Sequence, residues 1–114
     1  MEIRSFKDLL VWQKANIFSV EIYKTFSDSR DFSFRDQIQR AAMSVPNNIA
    51  EGYARQSDKA FRNFLFIAKG SAAEVESMLS AAQMLGYITQ ENEKLLANTI
   101  HEIYKMINGF MKKL

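Results

Sequence analysis

No cysteine occurs anywhere in the chain, which excludes disulfides, thiolate metal sites and cysteine nucleophiles together. Four glycines and one proline leave no linker, no low-complexity run and little loop, and no repeat of solenoid spacing is present. The single histidine, His101, has Asn98 three residues before it and Tyr104 three after, so the Glu-x-x-His spacing of carboxylate di-metal sites is missing. A helical histidine satisfied locally or by solvent is the expectation there. No Gly-x-Gly-x-x-Gly, no Gly-x4-Gly-Lys-Ser/Thr and no Gly-x-Ser-x-Gly pattern exists to cradle a phosphate or present a nucleophile. Glu74 and Glu76, two apart on a helix, point in different directions and make no acid and base pair. The chain therefore reads as a non-enzyme with no catalytic residue, no metal and no cofactor. Long apolar runs are lacking too. In the opening MEIRSFKDLLVWQK, charges at Glu2, Arg4, Lys7 and Asp8 interrupt any signal-peptide core or membrane span, and a cytoplasmic protein without membrane contact is expected.

What is present is helical periodicity. With 114 residues, 47% hydrophobic and 25% charged, the chain reads as one soluble domain, residues 1–114, large enough for a single core. After a weak capping signal from Ser5 and Asp8, Val11, Ala15, Phe18, Ile22 and Phe26 recur at spacings of 4, 3, 4 and 4, predicting a first helix from about Lys7 to Phe26. The polar segment from Ser27 to Asp31 breaks it. A second helix follows from about Phe32 to Tyr53, with Ile38, Ala42, Val45, Ile49 and Tyr53 as its core stripe and Pro46 inside it. Proline removes one backbone donor, so this helix either kinks at Pro46 or splits there with Ser44 as a cap; both side-chain ladders keep phase across it, which favours the kink. Ser57 can cap a third helix over about Asp58 to Leu85, whose apolar face includes Phe61, Phe64, Leu65, Ala68, Ala72, Val75, Leu79, Ala82 and Leu85. Gly86 and Tyr87 make its exit. Thr89 then caps a last helix with the clean seam Leu96, Ile100, Ile103, Ile107, Phe110 and Leu114. Short connections force sequential helices to run antiparallel, so the expected fold is all-α, an up-down-up-down four-helix bundle.

Two surface patterns remain. Gln37, Arg40, Ser44, Asn48, Glu51 and Arg55 step by 3, 4, 4, 3 and 4, which puts six polar side chains within roughly 80° on one helix face. Such a ladder suits a solvated face or a hydrogen-bonded seam, and its amides, hydroxyl and arginines suit the seam as well as the solvent. On the third helix, Lys59, Arg62, Phe66 and Lys69 interleave an aromatic with three cations, a face able to hold phosphates and stack a base or simply to be solvated. The run Phe64 to Ala68 leaves this helix apolar almost all round, which makes Phe66 and Ile67 candidates for a contact between subunits or with a partner. Formal net charge is +2, but residues 1–69 hold 11 basic and 8 acidic side chains, residues 70–104 hold 1 and 5, and residues 105–114 hold only basic ones. Charge is segregated along the sequence.

The segment from Gln37 to Glu74 also carries a resemblance. Gln37-Ile38, Arg40-Ala41-Ala42, Ser44-Val45-Pro46, Asn48-Ile49-Ala50-Glu51-Gly52, Arg55, Gly70-Ser71 and Glu74 look like the signature of the small four-helix-bundle proteins encoded in intervening sequences of bacterial 23S rRNA genes. Phe6-Lys7-Asp8-Leu9 and Val11-Trp12-Gln13-Lys14-Ala15 match the same family, so the resemblance spans nearly the whole chain. That family is similar in fold to the accessory protein of diversity-generating retroelements, a basic pentameric barrel associated with nucleic acid and a reverse transcriptase. The resemblance implies a closed homo-oligomer, a pentamer, and association with RNA or DNA. It implies no reaction. This chain is far less basic than the retroelement relatives.

Two readings follow. In one, an oligomeric accessory protein binds RNA or DNA mainly electrostatically through Arg40, Arg55, Lys59, Arg62 and Lys69. In the other, a protein-interaction scaffold uses Phe66 and Ile67 as contacts, while Gln37, Ser44, Asn48, Glu51, Ser71 and Glu74 form a structural polar seam.

Overall fold

The computed structural model describes residues 3–114, so Glu2, one of the charges that break the N-terminal apolar run, lies outside the described residues. A 3-10 turn, Phe6–Asp8, is followed by α1 (Leu10–Phe26), α2 (Phe32–Ala54), α3 (Asp58–Met84) and α4 (Gln90–Met111), with no strand among the described residues. The first helix is shorter than its periodicity predicts. Ser5 and Asp8 form a reciprocal capping box, but on the 3-10 turn, and Leu9 with extended backbone (ψ 123°) separates that turn from α1. Leu9 is nonetheless buried in the core, as is Ile88 in the α3–α4 connection. Neither belongs to a helical period, so no periodicity argument finds them.

Side-chain oxygens cap the other starts: Asp31 accepts from the Phe34 amide, Ser57 from Ala60 and Thr89 from Asn92, each at 3.1 Å. Helix α3 ends in a Schellman arrangement, in which Tyr87 N–H donates to the Ala82 carbonyl (2.8 Å) and Gly86 N–H to Gln83 (3.0 Å). This closure needs a left-handed residue, and Gly86 supplies it at φ 79°. Leu85 thereby falls at the cap and is exposed rather than on the core face. Helix α2 runs unbroken through Pro46.

The core is one cluster fed by all four helices, with Phe18, Ile22, Ile38, Ile49, Leu65, Leu79, Ile100 and Ile103 nearly inaccessible to solvent. Sequential helices pack on one another and α1 closes on α4. Cross-helix pairs run in opposite senses. Ser19 meets Met43 and Gln39 meets Tyr23; Ser44 meets Ser71 and Gln37 meets Glu74; Arg62 meets Met111 and Lys69 meets Tyr104. Lys14 and Glu102 form an ion pair between α1 and α4. The molecule is elongated, 42 × 23 × 22 Å. No helix of the described residues is long and apolar enough to cross a membrane.

One end of the long axis gathers the α1–α2 and α3–α4 connections. They are joined by Tyr87, whose hydroxyl donates to Asp31 at 2.6 Å and whose ring meets Phe34 edge-on at 5.4 Å. The Tyr87 hydroxyl, then the Phe34 amide, hold the Asp31 carboxyl below the usual aspartate range, and the same bond raises the Tyr87 phenol. Because the folded-state pKa of Asp31 is depressed, its contribution to stability is present above the ordinary aspartate pKa and is lost as pH falls through the folded value. Tyr87→Phe should return the Asp31 titration toward the ordinary carboxylate range, which carboxyl-carbon NMR against pH measures directly. An unmoved titration would show that the phenol is not the controlling donor.

Candidate nucleic-acid interface

The opposite end is built by the α2–α3 turn, the N-terminal 3-10 turn and the end of α4. Arg55 still has helical backbone, Gln56 takes the left-handed conformation (φ 60°), and Ser57 restarts the chain as the cap of α3. This reversal places Arg55 and Lys59 on neighbouring turns. Aromatic contacts lock the corner: Tyr53 against Phe61 at 6.0 Å, and Phe61 against Phe110 of α4 at 5.2 Å. Beyond them the Arg62 guanidinium donates to the Met111 carbonyl at 3.3 Å, which sets Arg62 beside Lys112 and Lys113. A cation at a helix C-terminus is also where the backbone dipole favours it.

The five cations singled out in the sequence are thus divided. Arg55, Lys59 and Arg62 share this end. Arg40 lies about 22 Å from Arg55 along α2 at 1.5 Å per residue, in a hollow on the outer face of that helix. Lys69 is half-buried, its ammonium 5.6 Å from the centre of the Phe66 ring and 5.5 Å from that of Tyr104, so part of its field is spent on aromatic faces. In their place the structure adds Lys112 and Lys113. Their signal in the sequence is the uniformly basic stretch 105–114. Lys59, Lys112 and Lys113 make no side-chain hydrogen bond or ion pair among the described residues.

The acidic stretch of the sequence does not face this end. Glu91 and Glu93 open α4, and the 19 residues from Glu93 to Lys112 separate them by roughly 28 Å, several Debye lengths at physiological salt. Glu102 is engaged by Lys14, and Glu76 lies 3.9 Å from His101, which stacks on Tyr104. Among the described residues no group of three His, Asp or Glu could hold a metal ion.

The polar ladder of α2 also divides. Ser44 Oγ lies 2.8 Å from Ser71 Oγ, Asn48 Nδ2 donates to the Ser44 carbonyl (2.8 Å) and hydroxyl (2.9 Å), and Gln37 Nε2 donates to Glu74 at 3.4 Å. These residues bridge or brace the α2–α3 contact. Glu51 does not take part in it: its carboxylate, 54% exposed, accepts from Arg55 at 2.8 Å on its own helix, and Arg55 lies 5.1 Å over the Phe64 ring. Removing Glu51 would strand no buried donor. At Gly52 the two helices approach closely: a Cβ there would stand 2.6 Å from Phe64 Cβ and 3.1 Å from the Phe61 ring. Phe66 and Ile67 are 64% and 52% exposed on the outer side of α3.

Ser44, Asn48, Gly52 and Ser71 are thus at once the α2–α3 junction and the distinctive positions of the sequence signature. Residues 7–109 match the 23S rRNA-intervening sequence protein family. The chain belongs to that family. The signature positions, as they stand here, form the tight contact between α2 and α3. A solved relative is the crystal structure of a protein of unknown function from the S23 ribosomal protein family of Bacteroides thetaiotaomicron VPI-5482. It is 33% identical over 90% of this chain and 99% of its own, with a TM-score of 0.84. No curated protein matches the chain.

Proposed function

We propose that this family member is a non-enzymatic accessory protein of the cytoplasm that associates with RNA as a closed homo-oligomer. The observation that carries the reading is the convergence of Arg55, Lys59, Arg62, Lys112 and Lys113 from three chain segments onto one end of the bundle. Membership of a family tied to 23S rRNA intervening sequences favours RNA over DNA as the nucleic acid. The opposed cross-helix pairs support an up-down-up-down bundle. Exposed Phe66 and Ile67 on α3 support self-association, and five copies is the number that the resemblance read from the sequence implies. A ring would repeat the basic end around its axis and sum its potential. Binding of this kind is dominated by phosphate contacts, so it should show little sequence preference at the basic end and fall steeply with salt.

Fluorescence anisotropy with labelled single-stranded RNA, duplex RNA and duplex DNA at low salt tests the association. If none binds at micromolar protein, the scaffold reading, supported by the same exposed Phe66 and Ile67, replaces it. Light scattering tests the assembly. Five chains of 13.2 kDa should appear together at about 66 kDa, and a persistent monomer mass would overturn the ring. Phe66→Glu should shift the population toward smaller species, because an unpaired carboxylate buried in a subunit contact costs several kcal/mol. An unchanged mass would place Phe66 on the free surface.

A further inference from the structure

Arg40 is the cation that the basic end leaves out. It lines a hollow of about 480 Å³ on the outer face of α2, together with Gln39, Met43, Asn47 and Asn48, and Tyr23 of α1 contributes to its lining. That volume lies within the usual range for small-molecule sites, about 300–1,000 Å³. The hollow is lined by groups with unspent hydrogen-bonding capacity. Arg40 makes no hydrogen bond or ion pair among the described residues. Gln39 uses its amide nitrogen on the Tyr23 carbonyl (3.3 Å), and Asn48 uses its own on Ser44, so both keep a carbonyl oxygen free. Among the described residues no buried side-chain polar atom lacks a partner, so the free Gln39 oxygen reaches accessible space although the residue is only 9% exposed. Asn47 is exposed and offers both halves of an amide.

We propose that this hollow receives an unpaired nucleobase of single-stranded RNA, an inference that rests on the RNA-associated reading above. The ligand must be planar and must offer donors and acceptors together. The free amide oxygens of Gln39 and Asn48 would repel a bare phosphate, and the Asp36 carboxylate that also lines the hollow, paired with Arg35 at 3.0 Å, offers it no donor. A base edge instead pairs with the Gln39, Asn47 and Asn48 amides. Its faces suit the Tyr23 ring, the Arg40 guanidinium plane and the Met43 thioether, the kind of surroundings in which single-stranded bases are held. Arg40 and Arg55 lie on the same side of α2, 15 residues apart and so about 60° apart in angle. A strand held by its phosphates at the basic end can therefore run along this helix to the hollow. The basic end supplies affinity, and the hollow supplies preference for unpaired strands and among bases.

Anisotropy on the full chain with short homopolymeric RNA strands of equal length, and with duplex RNA, tests this. Wild type should bind single strands better than duplex and should discriminate among the homopolymers. The double variant Tyr23→Ala, Asn47→Ala alters exposed side chains and no charge. It should weaken single-strand binding about tenfold and erase the discrimination, while duplex affinity and the salt slope stay as in wild type. Arg40→Lys keeps the charge but loses the planar fork, and should likewise lose discrimination with the slope retained. If wild type binds RNA and both variants match it on every strand, the hollow is not a base site and the RNA-associated reading stands. If wild type binds no RNA, that reading falls and this inference with it.

Discussion

Gly52→Ala is expected to destabilise the protein by about 2 kcal/mol, although alanine is the better helix former. The gain in helix propensity is about 1 kcal/mol. Against it stands a methyl group placed 2.6 Å from Phe64 Cβ, an atom fixed to the α3 backbone and unable to swing away as a side-chain tip would. Carbon atoms pack best at about 3.5–4.0 Å, so α2 and α3 must separate, and a clash with an atom this close to the backbone puts the cost at the upper end of the usual range for overpacking, about 3 kcal/mol. Separation also stretches the Ser44–Ser71 bond and loosens Arg55 over Phe64. For a domain of this size, a loss of 2 kcal/mol lowers Tm by roughly 8 °C. Gly70→Ala provides the control: the site is helical, exposed and has nothing within 4 Å of a new Cβ, so the same change should stabilise by about 1 kcal/mol. Thermal and chemical denaturation at matched protein concentration measure both. Equal effects of one sign would refute the close approach.

Replacing Lys59, Lys112 and Lys113 together by Gln should flatten the plot of log affinity against log salt by about 2 units for single-stranded RNA, at roughly 0.7 per phosphate contact. Between 50 and 200 mM salt, wild type should then lose about 20-fold more affinity than the variant. These three side chains hold no other group among the described residues, so their removal tests charge without disturbing the fold. Lys24→Gln, Arg30→Gln and Lys94→Gln together remove the same charge from the opposite end and should leave the slope nearly unchanged. If both triple variants behave alike, net charge governs binding and the basic end has no special part in it. The contrast matters because a formal charge of +2 is too small to predict binding, whereas its distribution along a 42 Å axis is not.

Much of the fold was legible because helices write a period into sequence. The stripes Val11 to Phe26, Ile38 to Ile49 and Leu96 to Ile107 read directly as core faces, and the Ser57 and Thr89 caps follow from a hydroxyl standing just before each helix. Gly86 announced the exit of α3 because only a left-handed residue closes it. The misplacements came where period is silent. Leu9 and Ile88 are core residues outside any helix, and the 3-10 turn at Phe6–Asp8 sits on a capping signal that reads equally well as the start of a longer helix.

Composition and spacing alone therefore determined an all-helical single core and its four amphipathic faces, and they showed no motif for catalysis. Tertiary structure decided which polar residues meet. One ladder on α2 became a seam at Ser44 and Asn48, a surface pair at Glu51 and Arg55 and a hollow at Arg40, because α3 covers only part of that face. It also brought Arg62 to Met111 across 49 positions of sequence, joining the last lysines to the α2–α3 corner, and it carried Glu91 and Glu93 to the far end. Periodicity is a local property of one helix. Which charges stand within a Debye length of one another depends on how the helices reverse and pack, and no window of sequence contains that information.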